Sequence, residues 1–249
     1  MAKKVLIAGE SWMSYVTHVK GFDSFYTTSY EEGVGFLRNA VQQAGYEVDY
    51  LPNHLANTQF PNTMEELKAY DCVILSDIGS NTLLLPHHTF TKSVENPNRC
   101  DLLKQYVLEG GAFLMIGGYM SFTGIDAKTR YGQTAVKDIL PVKCLDFDDR
   151  VEHPEGAAPV VVKDHPVSQG LPKTWPNLLG YNKTLVMEGF EPIATISGDP
   201  LIAVGDFGKG RSAVFTSDCA PHWAPPPFVN WEHYNLIWKN ILHYITRSS

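Results

Sequence analysis

Ala112-Phe-Leu-Met-Ile-Gly-Gly-Tyr-Met-Ser-Phe122 is the stretch whose reading decides the fold. Residues 113–116 are apolar without alternation, the pattern of a parallel strand covered on both faces. Gly117 and Gly118 then permit a backbone turn that side chains would obstruct. A nucleophile elbow runs strand, small residue, x, nucleophile, x, small residue; residues 117–121 fit it, with Ser121 closing the turn and Tyr119 where Cys or Ser would stand. The architecture of an elbow enzyme is present, and its usual nucleophile is not.

Working outward, strand and helix signals alternate through the first half. Residues 5–8 read as a strand, and Val34, Leu37 and Val41 lie at helical spacing within 31–44, with Gly45 as the C-terminal stop. Residues 46–51 read as a second strand. Thr63-Met-Glu-Glu66 is a capping box opening a short helix, residues 72–75 form a third apolar strand, and 98–108 form a helix closed by Gly110 and Gly111. This β-α-β-α order predicts an α/β, flavodoxin-like, doubly wound and mostly parallel sheet. The second half is richer in β signals, with short apolar runs at 160–162, 184–187, 193–196, 201–204 and 212–216. Gly208-Lys-Gly-Arg211 joins two of them and lacks the strand-to-helix context of a phosphate loop, so a hairpin turn is expected. Residues 234–245 carry an apolar stripe at helical period that should pack on the sheet.

With 249 residues, 44% hydrophobic and 19% charged, the chain can bury a sizeable core, and one domain spanning 1–249 is expected. A net charge of -7 and the lack of a Lys/Arg cluster argue against nucleic acid as a partner. The apolar run before Gly9 is too short for a secretion signal or a membrane span. Cys72, Cys100, Cys144 and Cys219 form no CxxC pair, so neither a disulfide framework nor a structural zinc site is indicated, and a cytoplasmic location is expected.

Three long connections, residues 10–30, 77–97 and 119–132, each start at the carboxyl end of an expected strand, where ligands bind in open α/β sheets. The first holds Glu10, Ser11, Trp12, His18 and Lys20, a mixture of ionisable and aromatic groups suited to a polar small molecule such as a sugar; its bland alternative is a surface loop whose aromatics plug a neighbouring subunit. The clustered rings Trp12, Phe22, Phe25 and Tyr26 point to a homo-oligomer. Asp77 opens the second connection, as a site residue or a cap. After the last apolar strand come Asp218, His222, Glu232 and His233. A carboxylate beside an imidazole would make an acid/base relay; a metal site is an alternative, although Asp218, His222 and His233 match no ligand spacing, and a proline-stiffened loop is a third. No metal or other cofactor is expected.

The order of elements, the Gly-Gly turn after the fourth strand and the His-bearing loop after the last resemble the class I glutamine amidotransferase-like superfamily. Within it, Gly9-Glu-Ser-Trp12, residues 18–30, Leu75-Ser-Asp-Ile-Gly-Ser80, Met115-Ile-Gly-Gly-Tyr-Met-Ser-Phe122 and Ser217-Asp-Cys-Ala-Pro-His-Trp223 resemble a bacterial glutamine amidotransferase group related to the ThuA-like proteins of sugar utilisation. The resemblance implies an elbow Cys and a His-x-Glu pair after the last strand. Here Tyr119 occupies the Cys position, His222 stands near the His, and Ala224 stands where the Glu would be. A phenol has the wrong pKa and nucleophilicity for the thioester route, so glutamine hydrolysis is not expected. The expected function is therefore sugar binding within carbohydrate metabolism. Turnover there would use His222 as acid or base, Asp218 or Glu232 as its orienter, and Tyr119 as donor to an oxyanion. The alternative is a non-catalytic ligand-binding or assembly module.

Overall fold

The computed structural model describes residues 3–248, so residues 1, 2 and 249 of the expected domain lie outside the described residues. In chain order the strands are β1 (Lys4–Gly9), β2 (Ser11–Lys20), β3 (Asp23–Glu32), β4 (Glu47–Leu51), β5 (Cys72–Ser76), β6 (Ala112–Ile116) and β7 (Val142–Cys144). They continue as β8 (Arg150–Ala157), β9 (Val160–Val161), β10 (Leu178–Asn182), β11 (Thr184–Val186), β12 (Pro192–Ile196), β13 (Asp199–Phe207) and β14 (Gly210–Phe215). The helices are α1 (Gly35–Gln43), α2 (Asn53–Gln59), α3 (Met64–Lys68), α4 (Ser80–Leu84), α5 (His87–Lys92), α6 (Arg99–Leu108), α7 (Pro226–Val229) and α8 (Tyr234–Ile245).

Eight strands form one sheet in the order β4-β1-β5-β6-β14-β13-β12-β9. Its first five members are parallel and the last three pair antiparallel. Alternation along each central strand divides the core in two. Val5, Ile7, Ile74, Leu114 and Phe215 join the layer of α1 and α8, whereas Leu6, Val73, Leu75, Phe113 and Val214 join the layer of α6. Burial on both faces explains why these strands read as continuous apolar runs. The expected capping box is present: Thr63 Oγ1 accepts from Glu66 N–H at 3.2 Å, and Glu66 accepts from Thr63 N–H at 3.1 Å. Gly208 and Lys209 form the turn between β13 and β14, as expected of a hairpin.

Two of the expected loops carry regular structure. Residues 77–97 contain α4 and α5, and most of 10–30 belongs to a β-hairpin, β2–β3, in which all ten residues of each strand pair, from Ser11↔Glu32 to Lys20↔Asp23. Gly21, at φ +66°, begins its two-residue turn, and Thr, Tyr and Val fill the strands, so both turn chemistry and strand propensity favour a hairpin. Helix α1 accordingly starts at Gly35, because Glu31 and Glu32 are still in β3. Three strands the sequence pattern did not reveal, β7, β8 and β10, form small two-stranded sheets with β11 and with each other. Among the described residues, no helix is long and apolar enough to cross a membrane.

Candidate functional site

Four parallel strands deliver the site. Beyond β1 the chain turns at Gly9 (φ +118°), where a Cβ would lie 1.7 Å from the Ser76 carbonyl oxygen, so only glycine fits. Glu10 follows in the left-handed region (φ 48°), its side chain buried and its carboxylate accepting from Ser76 Oγ at the end of β5. Asp77, also left-handed (φ 45°), accepts from Met120 N–H in the elbow at 2.6 Å. Asp218, buried after β14, accepts from Ala220 N–H at 3.0 Å and lies 3.5 Å from His222 Nδ1.

Three carboxylates thus converge in a poorly hydrated place, and the electrostatics follow. Burial, then Asp218 and Asp77, push the Glu10 carboxyl well above the usual range. Burial and Asp218 push Asp77 up to about 6, against the Met120 N–H bond and His222. The Asp218 carboxylate 3.5 Å from Nδ1, reinforced by the charges of Asp77 and Glu152, raises the His222 imidazole above its ordinary value. Its side chain is 41% exposed, so it can meet a ligand.

The elbow is tightly wired. Ser121 Oγ donates to Ile116 C=O at 2.6 Å and accepts from Asp77 N–H at 3.1 Å, so this expected ligand-binding residue holds the turn itself. Gly118 (φ +144°) donates its N–H to Asn182 Oδ1 at 2.9 Å, and a Cβ there would meet Asp77 Oδ1 at 2.7 Å. The Tyr119 ring lies 4.2 Å, edge to face, from that of His222. Its hydroxyl donates to Glu152 Oε1 at 3.0 Å, so the donor assigned to an oxyanion is engaged by a carboxylate. Glu152 Oε2 accepts from Trp223 Nε1–H at 2.9 Å, and the Arg150 guanidinium sits 4.8 Å over the Tyr119 ring. Asp149, fully buried, accepts from Thr123 N–H, Gly124 N–H and Asn182 Nδ2, bracing the loop that follows the elbow.

Glu10, Asp77, Asp218, Tyr119 and His222 therefore meet at one sheet edge. Glu232 does not: it is exposed and lies 3.6 Å from His233, leaving Asp218 as the carboxylate beside His222. Ser11 is buried at the hairpin root, accepting from Asn53 N–H at 2.8 Å, and Trp12 is next along the hairpin. His18 and Lys20 lie elsewhere. Seven and nine residues beyond Ser11 along an extended strand, they stand about 23 Å or more from the root. There His18 stacks on Phe25 and bonds Thr27, and Lys20 lies over the same ring. A hollow of about 510 Å³ at the hairpin root is lined by Trp12, Glu31, Phe36 and Pro221, the last adjoining His222 in sequence. Gly33 lines it too, and a Cβ there would come 2.8 Å from Glu10 Oε2.

Among the described residues the donor group compact enough for a metal ion is Glu10, Asp218 and Cys219, with ligand atoms within 4.8 Å of one another; Asp218, His222 and His233 do not converge in this way. Burial and the charges of Glu10 and Asp218 push the Cys219 thiol up, and Ser76 Oγ lies 3.7 Å away. The sequence reading missed Cys219, Asp149, Arg150, Glu152, Asn182 and Trp223 as neighbours of the site. Arg150 and Glu152 share one face of β8, but that strand alternates neither in hydrophobicity nor in burial, so no periodic signal pointed to them.

A parallel sheet whose fourth strand ends in an elbow, with a His-bearing loop after the last parallel strand, is the architecture of a class I glutamine amidotransferase-like protein. The chain belongs to the family described as "Putative glutamine amidotransferase", whose model matches residues 4–247. Its solved relatives include two from Salmonella typhimurium, Cytoplasmic Protein STM1381 (strain LT2) and Cytoplasmic Protein STM3548. The first is 48% identical (TM-score 0.94; 97% of this chain and 99% of that one), the second 43% (TM-score 0.94; 97% and 98%). A ThuA-like protein from Bacteroides uniformis has the same fold at 15% identity (TM-score 0.57; 98% and 91%). No curated protein matches the chain.

Proposed function

We propose that the carboxyl-edge site binds a polyhydroxylated small molecule, a sugar or sugar derivative, and moves a proton on it, with His222 as the acid or base. The observation that carries this reading is the half-exposed His222 imidazole held 3.5 Å from Asp218 beside the Tyr119 ring. A carboxylate partner fixes the tautomer and orientation of an imidazole, and a raised imidazole pKa favours the form that can donate a proton. The half-buried Tyr119 ring offers a flat face of the kind that stacks on sugar rings, the buried Trp223 backs it, and Glu152 offers an acceptor for hydroxyls.

Glutaminase chemistry is left out of the proposal because the elbow offers a phenol, which burial and Glu152 hold in its neutral form. A non-catalytic binding module is the second reading. It is favoured by the engagement of the elbow's own polar groups, Ser121 Oγ and the Tyr119 hydroxyl, within the protein. Calorimetric titration with a panel of sugars, sugar acids and sugar phosphates, followed by product analysis of each ligand that binds, separates the two. Turnover lost in His222→Ala with binding retained supports proton transfer, and binding without product supports the module. Binding of no member of the panel, or ammonia released from glutamine by wild type but not by His222→Ala, overturns the proposal.

A further inference from the structure

We infer that the β2–β3 hairpin is an exchange arm by which two copies of this chain clasp one another. The inference is independent of the chemistry proposed for the site. An isolated two-stranded hairpin is marginal in water, yet this one pairs along its full length with little support from the body. It carries large exposed apolar side chains on both sides, set among Ser, Thr and a few charged residues. Met13, Tyr15, Val19, Tyr26 and Tyr30 share one face, with Tyr15 73%, Val19 70% and Tyr26 73% exposed. Trp12, Val16 and Phe25 share the other, and Phe22 stands fully exposed at the tip.

Large side chains of this kind carry about 150–250 Å² each, so the arm offers apolar surface on the order of 1,000 Å². That exceeds the roughly 800 Å² per partner of a standard protein–protein interface. Reciprocal exchange of two such arms would bury about 2,000 Å², the range of obligate homodimers, whose interfaces are also the most apolar. The receiver we assign to it is a second exposed apolar group. Leu85, Phe90 and Val94 are exposed on the segment of α4 and α5 that follows β5, the strand next to β1, so arm root and receiver occupy the same edge of the sheet. A two-fold axis at that edge sets each arm against the other copy's receiver, with identical contacts on both sides.

Analytical ultracentrifugation at micromolar concentration is expected to give a mass of at least twice the 27.8 kDa of the single chain. The triple variant Tyr15→Ser, Val19→Ser, Tyr26→Ser should sediment as a single chain with unchanged circular dichroism, its self-association weakened roughly a hundredfold or more. A wild-type protein that remains a single chain, or a folded variant that keeps the wild-type mass, overturns the inference. Should the variant fail to fold, hydrogen exchange on the wild type decides. Amides of Ser11–Lys20 and Asp23–Glu32 are expected to be protected at high concentration and to lose that protection on dilution; concentration-independent exchange would overturn the inference.

Discussion

At Gly9 the chain leaves β1 for two opposite environments within three residues. Glu10 turns inward, joining Asp77 and Asp218 in a buried group of carboxylates; from Trp12 onward, rings and aliphatic chains turn outward into water. Each region inverts the usual distribution, with charge inside and apolar surface outside. Such inversions are tolerated where something other than the lone fold benefits, a ligand in one case and a second copy in the other. The site is a network in which each polar atom depends on its neighbours, whereas the arm is a row of nearly independent exposed side chains.

The shared root gives the largest expected effect. Gly9→Ala places a Cβ 1.7 Å from a backbone oxygen at φ +118°, and neither atom can step aside cheaply. A loss of roughly 4 kcal/mol or more is expected, read as a lowered denaturation midpoint or an insoluble product. A variant with the wild-type midpoint would show that β1 and β5 do not approach so closely. Asp149→Ala comes next. It leaves two N–H groups and the Asn182 amide without their buried acceptor, and urea denaturation should register about 3 kcal/mol. By contrast, Tyr15→Ala on the arm should change the stability of the dissociated chain by less than about 0.5 kcal/mol. Comparable losses at the two positions would erase the distinction between network and row.

Asp77→Asn sharpens the comparison with a sign. Folded, the Asp77 carboxyl holds its proton up to about pH 6; its ordinary value is 3.8. Its contribution is therefore fully present below pH 3.8 and lost as pH rises through about 6. Asn keeps an acceptor for Met120 N–H without the buried charge, so the variant should match wild type in acid and exceed it by about 1–2 kcal/mol at neutral pH. Denaturation midpoints across that range read the difference, and a variant less stable at neutral pH would mean that the ionised carboxylate is needed there.

What the sequence disclosed follows the same division between local and distant causes. The four central parallel strands, β1, β5, β6 and β14, were legible because burial on both faces writes an apolar run into each, and their ends fix where Glu10, Asp77, Tyr119 and Asp218 must gather. Asp149, Glu152 and Asn182 were not, because they enter through β10 and the edge strand β8 with its adjoining loop. Arg150-Val-Glu-His-Pro-Glu155 carries charge and a proline in place of a core pattern, and its pairing to β10 spans a long loop. The arm escaped notice for a related reason. With no face against a core, Ser11–Lys20 shows no clean alternation, although Lys20-Gly-Phe-Asp23 is a two-residue hairpin signal between Thr- and Tyr-rich flanks.

The smallest expected effect lies where the site meets solvent. His222 owes its raised pKa first to the Asp218 carboxylate beside Nδ1 and then to the surrounding charges, and its partial exposure screens all of these. An imidazole whose folded pKa exceeds its unfolded value stabilises the protein fully below about 6.5 and loses that contribution as pH rises through the folded pKa. With screening, the stability involved is at most about 0.5 kcal/mol, too little for denaturation to resolve, so the ring's own titration is the measurement. Proton NMR should place the His222 midpoint above 6.5 in wild type and bring it back toward that value in Asp218→Asn. Glu232→Gln should leave it unmoved, because Glu232 faces His233. A midpoint that follows Glu232 and ignores Asp218 would detach the imidazole from the buried carboxylates and leave His222 as one more exposed ring, no different in kind from those on the arm.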